Sequence, residues 1–297
     1  MFEEQVLNRI KDLVPDLQHL APRNIVPSNR VIDSNAIKKL CNTALSSDVK
    51  KISLVVTDKT RPTSLRKILS MLLPHIRRVD VGVIFATGTH EMSLSDAIEL
   101  IGSDLSTNIN VYVHDAMKDP HTYLGNTEGE IPIELLTKVV ESDASILVGY
   151  VFPHPWAGFL GGSKLLLPGI SSRRSIIMHH LKYYSHPRAL PAVINGNPFR
   201  EEIDRVGENL NRLTEIYTIN VVAHSSSSIY GTVGDLRKAY YEAIELSRKL
   251  YVNVVNEAYE VLILDSRLLN INLYQAIKGV LNNITIAKKD SINSPSK

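Results

Sequence analysis

ISLVVTDKTRPTSLRKILSMLLPHIRRVDVGVIFATGTH, residues 52–90, reads as one complete strand–helix–strand unit. Residues 52–57 form a short apolar run rich in β-branched side chains, the composition of a strand covered on both faces. A polar loop breaks the run, and a helix is expected over 64–73 before a second apolar strand at 79–86. Two buried strands joined by a helix pair in parallel, through a right-handed crossover.

The same alternation continues on both sides. Upstream, helical spacing at Val6, Leu7, Ile10, Leu13 and Val14 ends at Pro15, and another helix follows Asp33 and Ser34. Downstream, Ser93 with Asp96 three positions later gives a capping-box start to a helix. Strands are expected at 109–113, 144–151, 216–223 and 259–264, and helices at 173–182, 198–210, 235–250 and 273–282. The expected fold class is α/β, with a mostly parallel Rossmann-like sheet flanked by helices.

Composition excludes several roles. Thirty-three basic residues stand against 31 acidic ones in 297, and no Lys/Arg run exceeds two residues, so a nucleic-acid partner is not expected. The single cysteine, Cys41, rules out an internal disulfide and a cysteine-based zinc cluster. No stretch is long and apolar enough to span a membrane, and the acidic, amphipathic start MFEEQVLNRI is unlike a signal peptide. The expected location is cytoplasmic.

The polar residues hardest to explain as ordinary surface sit in loops that follow expected strands. In an open parallel sheet such loops gather at the carboxyl edge, where ligands bind. In TDKTRP (57–62), Asp58 and Arg61 could form a local pair, but an Arg at that position also suits a carboxylate or phosphate. ATGTHEM (86–92) leaves His90 at a strand end, and His114 with Asp115 follows the third strand; a lone histidine is more often structural than reactive.

FPHPWAGFLGGSKLLLPG (152–169) holds His154, the only tryptophan and Lys164 among four glycines. Its spacing is not that of a P-loop, so Lys164 reads either as an anion partner or as an amine that forms a covalent link. His179 and His180 follow on one helix, where adjacent side chains diverge and at most one faces the crevice. Imidazole suits nickel, zinc and copper alike.

DKTRP (58–62), ATGTH (86–90), PHPWAGFLGGSK (153–164), the pair ending at His180 and YQAIK (274–278) resemble, in the same order, signature segments of the nickel-pincer-nucleotide-dependent lactate racemase family. The resemblance spans about residues 20–287. It implies a Ni(II) pyridinium-3,5-bisthiocarboxylic acid mononucleotide linked covalently to Lys164, with His180 as the protein's metal ligand. Asp58, Thr60, Gly161 and Gly162 would contact this nickel-pincer nucleotide. His90 and His154 would be the catalytic acid/base pair, and Arg61, Gln275 and Lys278 would bind substrate.

The implied activity is racemisation or epimerisation of a small, lactate-like 2-hydroxy acid by proton-coupled hydride transfer. The implied partners are that substrate and the cofactor-synthesis enzymes, with a homo-oligomer left open. Residues 1–255 would form the cofactor-binding catalytic domain, and 256–297 the first βα unit of a truncated second domain with a disordered tail. The chain departs from the family at Glu91, where Arg is usual, at Leu160 for Ser, at His179 for Asn, and at SRLLNI (266–271). Two other readings compete with it: a cofactor-holding homologue without turnover, and a His-ligated metal hydrolase that uses bound water.

Overall fold

The computed structural model describes residues 30–45, 48–61, 63–107, 109–225, 227–260, 262, 264 and 273–288. The helix expected in the first twenty residues, the SRLLNI segment and the C-terminal tail lie outside them.

The 52–90 unit folds as its sequence dictates. Strand β1 (Lys51–Thr57), helix α2 (Leu65–Leu72) and strand β2 (Asp80–Ala86) make a parallel crossover, with Val55 opposite Ile84 in register. Helix α1 (Ser34–Ala44) precedes it, its first turn closed by the Asp33 carboxylate accepting from the Ala36 amide at 2.8 Å. Helix α3 (Leu94–Ile101) starts with the expected reciprocal capping box between Ser93 and Asp96.

Strand β3 (Asn110–Val113) pairs in parallel with β2, and β6 (Ala144–Tyr150) in parallel with β1. Between them β4 (His121–Asn126) and β5 (Pro132–Leu136) form a separate antiparallel hairpin. After β6, two-residue strands β7 (Pro153–His154) and β8 (Gly158–Phe159) pair in a small hairpin. Helices α4 (Arg173–Tyr183) and α5 (Pro198–Leu210) lead to β9 (Glu215–His224), β10 (Ile229–Asp235), α6 (Leu236–Tyr251) and α7 (Leu273–Asn283).

The main sheet has the order β10-β9-β6-β1-β2-β3 and is parallel except where β10 runs against β9. Both faces are covered, as α/β architecture requires. Leu54 and Val56 of β1 pack with Ile37, Ile68 and Leu72 on one side. Val55 of the same strand packs with Leu165, Phe199 and Ile203 on the other. A further cluster joins Val151 and Phe159 to Tyr240 and Ile244 of α6, anchoring the Gly-rich loop at the sheet's end.

One expectation is corrected, and one falls partly outside the described residues. The segment 229–235, where no strand is expected, is the strand β10; its two glycines hide its β character, and at Gly231 a Cβ would lie 1.8 Å from the Asn220 carbonyl oxygen, so only glycine fits. Of the strand expected at 259–264, the described residues show a single bridge, Tyr259 to Ala287. Helix α7 forms as expected and packs against the main body, its Asn282 donating to the Pro153 carbonyl at 3.3 Å.

Candidate active site

The loops that follow β1, β2 and β6 converge at the carboxyl edge of the sheet, and α7 closes on them. Asp58 is 5% exposed. Its Oδ1 accepts from the Thr60 amide at 3.0 Å and the Thr60 hydroxyl at 2.5 Å, while Oδ2 lies 2.5 Å from His90 Nδ1. Contact with a carboxylate makes Nδ1 the proton-bearing nitrogen and leaves Nε2 as the ring's basic site. Burial alone would raise the Asp58 pKa, but the hydrogen bond and charge of His90, with Thr60 and Arg61, hold it below the ordinary carboxylate value. Gly88, with φ +58°, makes the turn that delivers His90, and its amide donates to the Gly169 carbonyl at 2.9 Å.

Gln275 and Lys278, three residues apart on α7, share the face turned to these loops. Gln275 is 1% exposed. Its amide nitrogen approaches His90 Nε2 at 3.5 Å, and its Oε1 accepts from Arg61 Nη1 at 3.3 Å and from Lys278 Nζ at 3.0 Å. Burial and the Arg61 charge push the Lys278 ammonium down to about 7, with Asp58 partly opposing them. Two cationic groups thus surround one amide, an arrangement that suits a carboxylate.

His154 differs from His90. It is 5% exposed, and its Nδ1 accepts from the backbone amides of Trp156 at 3.3 Å and Ala157 at 3.2 Å in the β7–β8 turn. The neutral ring therefore carries its proton on Nε2. Burial lowers its pKa well below the usual imidazole value, and the charges of Lys164, Lys278, Arg61 and His180 lower it further. Arg61 and Lys278 also act on Lys164, and Lys164 and Lys278 act on His180.

Lys164 stands in a single 3₁₀ turn, Gly162–Leu165, entered through Gly161 at φ +85° and Gly162 at φ +56°. A Cβ on Gly162 would meet the Tyr240 ring at 2.8 Å, so the turn lies flat on that ring. Among the described residues the Lys164 amine makes no hydrogen bond or ion pair. Burial, then Lys278, Arg61 and Arg200, push its pKa well below the ordinary lysine value. An uncharged amine is the nucleophilic form.

The histidine pair divides as helical geometry requires. His179 is fully buried and donates from Nε2 to the Phe199 carbonyl at 2.9 Å, a structural role. His180 donates from Nδ1 to the Ile176 carbonyl at 2.8 Å, which leaves Nε2 with a lone pair. A backbone carbonyl behind one ring nitrogen is the usual support for metal ligation at the other. Among the described residues no group of three or more His, Cys, Asp or Glu could hold a metal. The donor set, one imidazole coupled to one amine of lowered pKa, fits a metal that arrives with most of its ligands. Among the described residues it does not supply the three side chains that a hydrolytic centre takes.

His114 stays outside this constellation. Its Nε2 lies 3.0 Å from His121 Nε2, and Asp115 caps the backbone amides of Met117 and Lys118.

Over residues 19–191 the sequence matches the lactate racemase N-terminal domain family. The chain belongs to this family. It is 30% identical over 247 residues to the lactate racemase of Thermoanaerobacterium thermosaccharolyticum and 26% identical over 273 residues to that of Lactiplantibacillus plantarum. These matches cover 80% and 85% of the chain but 57% and 63% of the relatives. The lactate racemase apoprotein structure from T. thermosaccharolyticum superposes with a TM-score of 0.65 at 25% identity, covering 76% of this chain and 59% of that one. A Thermotoga maritima protein shares the fold at a TM-score of 0.65, with 23% identity over 77% of this chain and 62% of its own. The family thus supplies a racemase relationship and an α/β fold. Among the described residues no helix is long and apolar enough to cross a membrane.

Sequence reasoning missed the residues behind the lysine turn. Arg200 on α5 is completely buried, and Tyr240 on α6 supports the same turn. An Arg four positions before an Asp reads in sequence as an exposed helical pair, so nothing local announced it.

Proposed function

We propose that the chain racemises or epimerises a small 2-hydroxy acid, using a nickel-pincer nucleotide tethered to Lys164. The observation that carries this reading is a lysine with lowered pKa and no hydrogen bond or ion pair among the described residues, electrostatically coupled to one backed imidazole, His180, beside two histidines of opposite tautomer. Family membership supports a racemase relationship, and the incomplete coverage of the relatives makes turnover by this chain part of the proposal.

Lys164 would hold the cofactor covalently and His180 Nε2 would ligate its nickel, with Asp58, Thr60, Gly161 and Gly162 close to it. When bound, the group supplies a reversible acceptor for the hydrogen and electron pair at the substrate's Cα. Arg61 and Lys278 pair with the substrate carboxylate, and Gln275 sets their spacing. His90 Nε2 takes the hydroxyl proton, and Asp58 stabilises the imidazolium that results. His154 presents Nε2–H as proton donor, so the two histidines can serve the two faces of a planar 2-keto acid.

The test is to co-produce the chain with the cofactor-synthesis enzymes and screen chiral 2-hydroxy acids for loss of optical activity. Racemisation that disappears in Lys164→Ala supports the proposal. A nickel-loaded chain that interconverts none of the acids would leave a cofactor-holding protein and contradict it.

A further inference from the structure

Helix α5 approaches the reactive segment from behind with an uncommon set of contacts. Its N-cap Asn197 is completely buried and donates to the Trp156 carbonyl at 2.8 Å and the Val193 carbonyl at 2.9 Å. One turn later Arg200 sends its guanidinium beneath the Gly-rich turn. Nε and Nη2 both donate to the Asp204 carboxylate, the former at 3.0 Å. Nη1 reaches the carbonyls of Phe159 and Gly161 at 3.5 and 3.4 Å, and the guanidinium carbon sits 4.4 Å from the Tyr240 ring centroid. The Tyr240 hydroxyl donates to the Leu160 carbonyl at 3.1 Å. At the next residues, Gly162 lies on the Tyr240 ring, and a Cβ on Gly207 of α5 would meet Ser163 Oγ at 2.1 Å.

Every residue from 159 to 163 is therefore held from one side, and the chain's next side chain is Lys164. Burying a guanidinium is costly, and an apolar pair of similar volume would generally stabilise a core at least as well. The arrangement makes better sense as control of what stands on the turn. We propose that Arg200, anchored by Asp204 and Tyr240, is a positioning residue for Lys164: it fixes the carbonyls of Phe159 and Gly161 so that the amine projects into the crevice. This inference rests on the reading of Lys164 as the reactive amine.

Arg200 also contributes charge. The groups acting on Lys164 are Lys278 on α7, Arg61 after β1 and Arg200 on α5, and Lys164 in turn acts on His154 of β7 and His180 of α4. Among the three cations, Arg200 alone comes from behind the turn, in a bidentate pair with a carboxylate.

The experiment is trace acetylation of the cofactor-free protein with acetic anhydride across pH, read by peptide mass analysis at Lys164 and at exposed Lys182. Because no cofactor is present, its result is independent of whether the chain racemises anything. In the parent protein Lys164 should titrate well below Lys182. Arg200→Met should move the Lys164 midpoint up, and Asp204→Asn, which strips the guanidinium of its counter-ion, should move it down. Arg200→Lys should hold the midpoint near the parent value yet lower the labelling rate at high pH, because an ammonium cannot bridge the carbonyls as a planar fork does. Lys182 should be unaffected throughout. A purely structural Arg200 would leave the Lys164 midpoint unmoved in folded variants, and that result would overturn the proposal. If Arg200→Met fails to fold, the downward shift in Asp204→Asn and the slower labelling in Arg200→Lys decide the matter alone.

Discussion

His90 Nδ1 lies 2.5 Å from Asp58 Oδ2, and this contact makes His90 chemically unlike the other histidine of the crevice. A carboxylate behind the ring fixes the tautomer, as in a hydrolase triad. Asp58→Asn keeps the shape but permits the wrong tautomer. Turnover should fall by about 100-fold or more while bound nickel is unchanged. Steady-state racemisation with nickel measured on the same sample checks this.

His90→Ala and Lys164→Ala should separate two functions that a simple activity assay merges. The first removes the base and should leave the cofactor bound, with turnover abolished. The second removes the tether and should lose both cofactor and turnover. Equal nickel loss in the two variants would show that the roles are not divided between the second loop and the Gly-rich turn.

Substrate binding should depend on pH through Lys278. Its pKa is pushed down to about 7, so the amine is charged below that value and neutral above it. A carboxylate substrate prefers the charged form. KM for the 2-hydroxy acid should therefore rise as pH increases through about 7, by up to about tenfold per pH unit. The rise should flatten in Lys278→Met, whose KM is already high. An unchanged slope in that variant would assign the dependence to another group.

Away from the crevice, Gly231→Ala forces a Cβ to within 1.8 Å of the Asn220 carbonyl oxygen. The β9–β10 pairing must spread, at a cost of about 1–3 kcal/mol. A lowered melting temperature with an unchanged acetylation profile at Lys164 is the expected outcome.

Much of this architecture is legible in the sequence because β1, β2 and β6 are covered on both faces and read as near-continuous apolar runs. Helix α5 is equally plain, with Asn197 at its cap and Pro198 at its first position. The hairpin β4–β5 was missed because HTYLGN is only half-buried and carries no apolar run. Strand β10 was missed because its glycines serve a close backbone approach that only the fold reveals. The convergence of the loops on one crevice was legible from topology alone. The difference between His90 and His154 was not, since it depends on which groups meet each Nδ1. Likewise, His179 and His180 look equivalent in sequence, and Phe199 tells them apart only in three dimensions.

The central claim is that Lys164 is a cofactor-bearing amine, and intact-mass analysis with metal quantification tests it most directly. Protein co-produced with the cofactor-synthesis enzymes should carry a covalent adduct that maps to Lys164, with nickel in proportion to it. Neither should be present in Lys164→Ala. An unmodified chain from that same host, or nickel retained equally by the alanine variant, would contradict the account.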